Sequence, residues 1–489
     1  MILFYYNYDT NRGKSKLNEK KFKWKYIFIV FALSAIIIIS SIMNFKTTFA
    51  NLTERKPVPD NSDPGQRILV VVPHPDDESL GMAGVIDRAV ELKRPIKVVI
   101  VTDGESYRSA AIALTGHKNP TSRDFYKLGL MRHGESIAAM SVLGLPKSDV
   151  IFLGFADGST RFLWSDFWDN GKPRISGGTN VASSPYKDVY KLGIAYTGQN
   201  LENELQDIMK SFKPTDIYYP MADDIHPDHW AVSNFTRYAI TALNLNVREH
   251  MFLVHHPQWP VPWLLVPNEA LLPPTDMKDS NTVWQSFALT KSEESKKELA
   301  IKQYKTQIKV MEPFLLAFVR KNELFGTKPV ITIPTIDYKP NLYSQNIPYS
   351  LLNISTGGVL DQEIYRSADL IKLASFYYDN HLYLGIKTLS PISKNVRYNI
   401  EMRLFYKNNI KRIDLGLVND KLYQYKKANN SLLNSIASKP IINKNILWVK
   451  LNIPQKQDLR YIFIGSDSIY KGKLIDKIPW NMYKLSKQA

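Results

Sequence analysis

Short apolar runs alternate with longer amphipathic stretches between residues 67 and 256. Ile68-Leu69-Val70-Val71-Val72, Ile96 to Val101, Val150 to Leu153, Asp216 to Tyr219 and Met251 to His255 have strand length and are rich in β-branched or aromatic side chains. Continuous runs of this kind suit strands buried on both faces of a parallel sheet. Helix-like patterns fill the intervals at about 79–92, 126–143 and 198–212, and again up to about Leu243. The alternation predicts an α/β domain with a mainly parallel sheet, whose ligands gather beyond the carboxyl ends of the strands. Residues 289–325 also read as helical. Two segments break the pattern: a long irregular stretch at about 156–196, and the Pro-rich excursion Pro260 to Pro274.

The texture changes near residue 345. Leu382 to Ile386, Tyr398 to Tyr406, Ile446 to Leu451 and Tyr461 to Ile464 alternate polar and apolar residues. This spacing predicts an antiparallel β-sandwich. At the other end, Tyr26 to Phe45 is an uncharged run of 20 residues preceded by Arg12, Lys14, Lys16, Lys20, Lys21, Lys23 and Lys25. Its length matches a bilayer core of about 30 Å, and the basic flank places the N-terminus in the cytoplasm and the rest of the chain outside. The expected organisation is a cytoplasmic basic segment (1–25), a transmembrane helix or signal anchor (26–45), a polar linker (46–66), an α/β domain (67–340) and a β-rich accessory domain (345–489). A secreted form is the alternative, because Thr48-Phe49-Ala50 resembles a signal cleavage site.

Charge sharpens this division. The net charge of +17 resides in the two ends, +6 over residues 1–50 and +12 over 341–489, while 51–340 is near neutral at −1. No basic stripe with interleaved aromatics accompanies the α/β region, which argues against nucleic acid as a partner. The chain has no cysteine, so any metal must sit on nitrogen and oxygen ligands.

Two strings at strand ends carry the chemistry: Pro73-His74-Pro75-Asp76-Asp77-Glu78 and His226-Pro227-Asp228-His229. His74 offers a ring nitrogen to a divalent ion, Asp77 can return to the same point, and His229 supplies a third ligand, leaving a position open. Asp76 can stay off the metal as the base for a bound water. His226 can donate to a leaving amine or to a tetrahedral oxyanion. Asp228 can hold an imidazole in one tautomer. Glu78 reads as a supporting or helix N-terminal charge. Asp157 is a candidate site or turn residue, and Arg108 and Arg132 are candidates to grip a sugar or phosphate or to form surface ion pairs. Trp164, Phe167 and Trp168 are candidates to stack on a sugar ring. His255-His256 is a poor metal pair, because adjacent side chains on a strand point to opposite faces.

The chain resembles the LmbE-like/PIG-L family of zinc-dependent N-acetylglucosaminyl deacetylases. His-Pro-Asp-Asp-Glu at 74–78 and His-Pro-Asp-His at 226–229 match the family's two signatures. Weaker pieces are Thr102-Asp103-Gly104-Glu105, Arg132-His133-Gly134-Glu135 and Leu153 to Gly158. The resemblance covers about 67–320. It implies a Rossmann-like domain binding one Zn2+ (or another divalent ion) through His74, Asp77 and His229, with Asp76 as general base and His226 as a protonated imidazole facing the oxyanion. Some family members carry a tyrosine where this chain has Asp224, so Asp223 and Asp224 are expected to line the approach. Ser367-Ala368-Asp369-Leu370 with Tyr377 to Tyr383 faintly resembles β-sandwich carbohydrate-binding modules. The expectation is a membrane-anchored, extracytoplasmic enzyme that removes the N-acetyl group from an amino sugar in an envelope or extracellular glycan or glycoconjugate. The alternatives are a membrane-tethered glycan-binding protein with an inactive deacetylase fold, and an amidase acting on another N-acyl group. The sequence leaves the oligomeric state open.

Overall fold

In the computed structural model, the apolar run Ile68–Val72 forms β1, buried along its whole length. The structure describes residues 58–169, 171–343, 350–352, 365–419, 421–424, 439–453 and 456–486. The expected membrane segment Tyr26 to Phe45 lies outside them. Among the described residues no helix is long and apolar enough to cross a membrane. Residues 59–66 pack onto the domain: Asp60 bridges to Ser286, and the Gln66 amide donates to the Asp216 carboxylate.

Strands β2 (Ile96–Thr102), β3 (Val150–Phe155), β4 (Asp216–Pro220) and β5 (Arg248–Phe252) join β1 in parallel. Two antiparallel strands, β6 (Val283–Ala288) and β7 (Asn322–Thr327), complete one edge. The order β3-β2-β1-β4-β5-β7-β6 makes a seven-stranded mixed sheet. The chain leaves β1 in one direction for β2 and β3, then returns to the other side of β1 at β4. The crevice at this reversal is where open α/β sheets bind ligands, and both signatures follow the two strands that flank it.

Helices α1 (Asp77–Glu91), α2 (Arg108–Thr115), α3 (Ser122–Val142), α4 (Thr160–Trp164), α5 (Gly198–Phe212), α6 (Pro227–Ala242), α7 (Lys291–Ile301) and α8 (Lys305–Leu316) connect the strands. Helix α3 starts four residues before the pattern of apolar positions suggests, because Thr121 and Asp124 close a reciprocal capping box. The segment 289–325, expected to be helical throughout, ends in strand β7. Its residues 322–327 pair antiparallel with β6, a long-range partner that local periodicity does not reveal.

The C-terminal region is a sandwich of a five-stranded and a six-stranded sheet. β8 (Ile331–Ile333) pairs with β18 (Lys473–Leu485), so the sandwich begins within the range assigned to the catalytic domain. β9 (Ser350–Leu352), β10 (Leu370–Tyr378), β11 (His381–Thr388), β15 (Ile441–Asn443) and β16 (Ile446–Asn452) form one sheet. β12 (Val396–Tyr406), β13 (Ile410–Val418), β14 (Lys421–Gln424) and β17 (Leu459–Tyr470) form the other with β8 and β18. Leu384, Ile400, Leu404, Val449 and Ile464 are among the side chains that fill the space between the sheets. In the segment suggestive of a carbohydrate-binding module, Asp379 and Asn380 have φ of 45° and 60° and form the turn between β10 and β11, a tight-hairpin geometry that asparagine and aspartate tolerate.

Trp164 is fully buried where the two parts meet, with ring centroids 5.0 Å from Phe235 and 5.1 Å from Trp480. Arg412 of the sandwich donates to the carbonyls of Trp164 and Ser165, and its guanidinium lies over Trp168. Trp164 and Trp168 are therefore interface residues and do not form a sugar-stacking loop. Phe167 is half-buried beside the Arg174 guanidinium.

Candidate metal centre

β1 ends at Val72 and the chain turns sharply into α1. Asp76, the residue before the helix, has φ 124° and ψ −32°. An L-residue rarely adopts this conformation, and such strain persists only where the surroundings enforce it. Here Arg132 enforces it: its Nη2 donates to the Pro75 carbonyl and, at 3.1 Å, to Asp76 Oδ2, while Nη1 donates to the Gly104 carbonyl. Gly104, at φ +60°, is required in this arrangement, since a Cβ there would lie 2.0 Å from Arg132 Nη1. Glu78 accepts from the Asp76 amide and, at 2.6 Å, from the Tyr304 hydroxyl, and so supports the turn from behind.

The second signature opens α6. His226 caps the helix, its Nδ1 accepting from the Asp228 amide, and Pro227 occupies the first turn. His229 then points back to β1. His74 Nδ1 and His229 Nε2 each stand 3.2 Å from the same oxygen, Asp77 Oδ2. The other nitrogen of each ring faces a carboxylate. His74 Nε2 is 3.2 Å from Asp228 Oδ2 and 3.3 Å from Asp157 Oδ1, and His229 Nδ1 is 3.0 Å from Asp224 Oδ2. Metal-binding histidines are oriented in this way, with one nitrogen held by a carboxylate and the other presented to the ion. His74, His226 and His229 present ring nitrogens within 4.8 Å of one another, as do Asp77, His229 and His255 through one ligand atom each. The donor set is nitrogen and carboxylate oxygen, which suits zinc and several other divalent ions.

Asp224 and Asp223 do not line the approach. Asp224 is fully buried and accepts from the backbone amides of His226, Val254 and His255. Asp223 is buried against Lys328. Arg108 is also outside the site: it is exposed and donates to Lys118 and Asn119. Asp157, in contrast, accepts from the Ser106 amide beside the cleft, and Asp228 accepts from the amides of Gly158 and Thr160.

His255 is a member of the cluster that local pattern did not suggest. Strand β5 ends at Phe252, so His255 lies beyond it. Its ring centroid is 4.7 Å from that of His229, whereas His256 turns away to Asp276. The missing signal is long-range: β5 neighbours β4, and the Asp224 carboxylate draws the His255 backbone inward.

The reaction cleft has a volume of about 310 Å3. His74, Asp76 and His226 line its polar side, and Leu80, Met311 and Phe314 its apolar side. Burial pushes the Asp76 carboxyl up to about 7, with the Arg132 guanidinium acting against the shift and Asp77 adding to it. Burial disfavours charge on His229, but Asp224 and Asp77 outweigh it and raise the ring to about 9. His226 moves the other way, down to about 4, through burial and the neighbouring His74 and His229. The Asp228 amide donating to Nδ1 leaves Nε2 to carry the ring proton.

No curated protein gives a significant match to the chain. Among solved structures, the chain is similar to the A40926 pseudoaglycone deacetylase Dbv21 at 17% identity, over 53% of this chain and 96% of that one, with a TM-score of 0.35. It is similar to N,N'-diacetylchitobiose deacetylase from Pyrococcus horikoshii at 18% identity, over 53% and 82% of the two chains, with a TM-score of 0.33. GalB, the 4-carboxy-2-hydroxymuconate hydratase from Pseudomonas putida KT2440, aligns at 17% identity over 56% and 99%, with a TM-score of 0.33. Residues 69–240, which contain both signatures and the strands that flank the cleft, are a domain of the PIG-L family, described as GlcNAc-PI de-N-acetylase.

Proposed function

We propose that the protein hydrolyses the N-acetyl group of an N-acetylglucosamine-type sugar, using one divalent cation, Zn2+ in the first instance, held by His74, Asp77 and His229. The observation that carries this reading is the convergence of His74 Nδ1 and His229 Nε2 on one Asp77 oxygen, within a domain of a de-N-acetylase family. When bound, the cation supplies Lewis acidity and lowers the pKa of water to about 7. Asp76 takes the proton from the attacking water, with Arg132 fixing the carboxylate in position. His226 Nε2–H donates to the oxygen of the attacked carbonyl as negative charge develops there. The apolar wall at Leu80 and Met311 suits the acetyl methyl group. The proton taken by Asp76 passes to the amide nitrogen as the C–N bond breaks, and the products are acetate and a free amine.

The uncharged run Tyr26 to Phe45 and its basic flank support a membrane-anchored protein with the cleft outside the cytoplasm. An envelope or extracellular glycan is then the accessible substrate. The test is acetate release from N-acetylated sugars, monomeric and polymeric, with and without a chelator. Chelator-sensitive release supports the reading. No release from any acetylated sugar by the metal-loaded protein overturns it.

A further inference from the structure

A second cleft, of about 240 Å3, lies between the PIG-L domain and the sandwich. Its walls come from α4 and α6 on one side and from β12, β17 and β18 on the other. One short segment separates it from the reaction cleft. Ile225 and Pro227 line the second cleft, while His226 between them lines the first. We propose that this cleft is a sugar subsite, which binds a neighbouring unit of the glycan chain whose acetylated unit occupies the reaction cleft. The inference rests on the proposed hydrolysis and names its substrate as an oligomer.

Three observations converge on this ligand. The lining carries three cations, Arg161, Arg397 and Lys477, and three carboxylates, Asp166, Glu401 and Asp467. That balance disfavours a polyanion or a polycation and suits hydroxyl groups, which both donate and accept. Among the described residues, Trp230 Nε1 and Asn399 Oδ1 of the lining are buried without a hydrogen-bond partner, on side chains of residues 8% and 2% exposed. Such atoms are rare in folded proteins and call for a partner. The Asn399 amide is oriented by its Nδ2, which donates to Asp467 Oδ1 at 2.6 Å, leaving one donor and one acceptor for a ligand. Finally, Phe162, Ile225 and Leu474 provide apolar surface for the C–H face of a ring. The volume is below the roughly 300–1,000 Å3 of drug-sized sites, which suits a single sugar unit. The sandwich thus acts as one wall of an extended substrate cleft.

The test compares chito-oligosaccharides of one, two and four N-acetylglucosamine units, with acetate release as the readout, on the full-length metal-loaded protein. Arg161→Ala and Asn399→Ala alter opposite walls, so a folding defect in one leaves the other informative. The expected result is a fall of about tenfold in kcat/KM for the tetramer, through KM, with the monomer rate and kcat unchanged. The same length dependence in wild type and both variants overturns the proposal. If no oligomer releases acetate, the underlying reading fails. Calorimetric titration with the tetramer then decides the subsite separately: loss of binding in Asn399→Ala supports it, and no binding to wild type, or equal binding to both, overturns it.

Discussion

Replacing Asp224 by asparagine tests whether a buried carboxylate outside the proposed ligand set organises the centre. Its Oδ1 accepts from the His226 amide at 2.8 Å, and its Oδ2 accepts from Val254 and His255 at 3.2 and 3.0 Å. His229 Nδ1 lies 3.0 Å from the same Oδ2. An asparagine has the same shape but only one accepting oxygen. In its better orientation the NH2 group meets the His226 amide, donor against donor, and one buried N–H loses its partner. An unsatisfied buried donor costs about 1–3 kcal/mol, so destabilisation of about 2 kcal/mol is expected. The opposite orientation strands two N–H groups and costs about twice as much. A second effect follows at His229, which loses the carboxylate that orients it, and metal affinity should fall by roughly 10–100-fold. Urea denaturation of the metal-free protein reads the first effect, and zinc competition against a chromophoric chelator reads the second. Wild-type stability together with wild-type affinity would refute the role given to Asp224.

Asp76→Asn should retain zinc but lower kcat by about 10^2–10^4, since only the proton acceptor is lost; metal content and turnover measured on one sample check this, and wild-type turnover rejects Asp76 as base. Lys297→Met should cost about 3–5 kcal/mol, because it breaks a fully buried ion pair and leaves Glu323, 2.8 Å from the Lys297 ammonium, without its cationic partner. Adding Glu323→Gln should restore part of that loss in denaturant titration. Burial acts to raise Asp216, but hydrogen bonds from His250, Arg248 and Thr215 outweigh it and hold the carboxyl at about 2. Its stabilisation is therefore present above its ordinary pKa of 3.8 and is lost as pH falls toward about 2. Asp216→Asn should flatten the acid limb of a stability–pH profile in that window, and an unchanged slope contradicts the assignment. Trp164→Ala should destabilise by about 3–5 kcal/mol, read from the shift in the denaturation midpoint, because it empties the contact between the PIG-L domain and the sandwich.

Local pattern sufficed for β1 to β4 and for the residues of the two signatures, whereas β5 starts three residues before the expected Met251 and ends at Phe252, short of His255. β1 and β4 are apolar runs whose character depends only on neighbouring residues, and His74, Asp76 and Asp77 follow β1 by direct chain connection. The sequence also distinguished the α/β region from the β-rich region, because periodicity and composition change together near residue 345. Other features depended on contacts between distant parts of the chain. Arg108 and Arg132 look alike in sequence, yet only Arg132 projects from α3 to Asp76, whereas Arg108 is exposed. Asp224 and His255 enter the centre because β4 and β5 are neighbours and one carboxylate bridges their ends. Trp164 reads as a loop aromatic until the sandwich covers it, and β8 reads as domain tail until it pairs with β18. Residue type and short-range periodicity determine which groups are available and which segments become strands. Burial, ion pairing and the sharing of a cleft between two domains arise only when segments far apart in sequence are packed together, so the tertiary structure alone decided them.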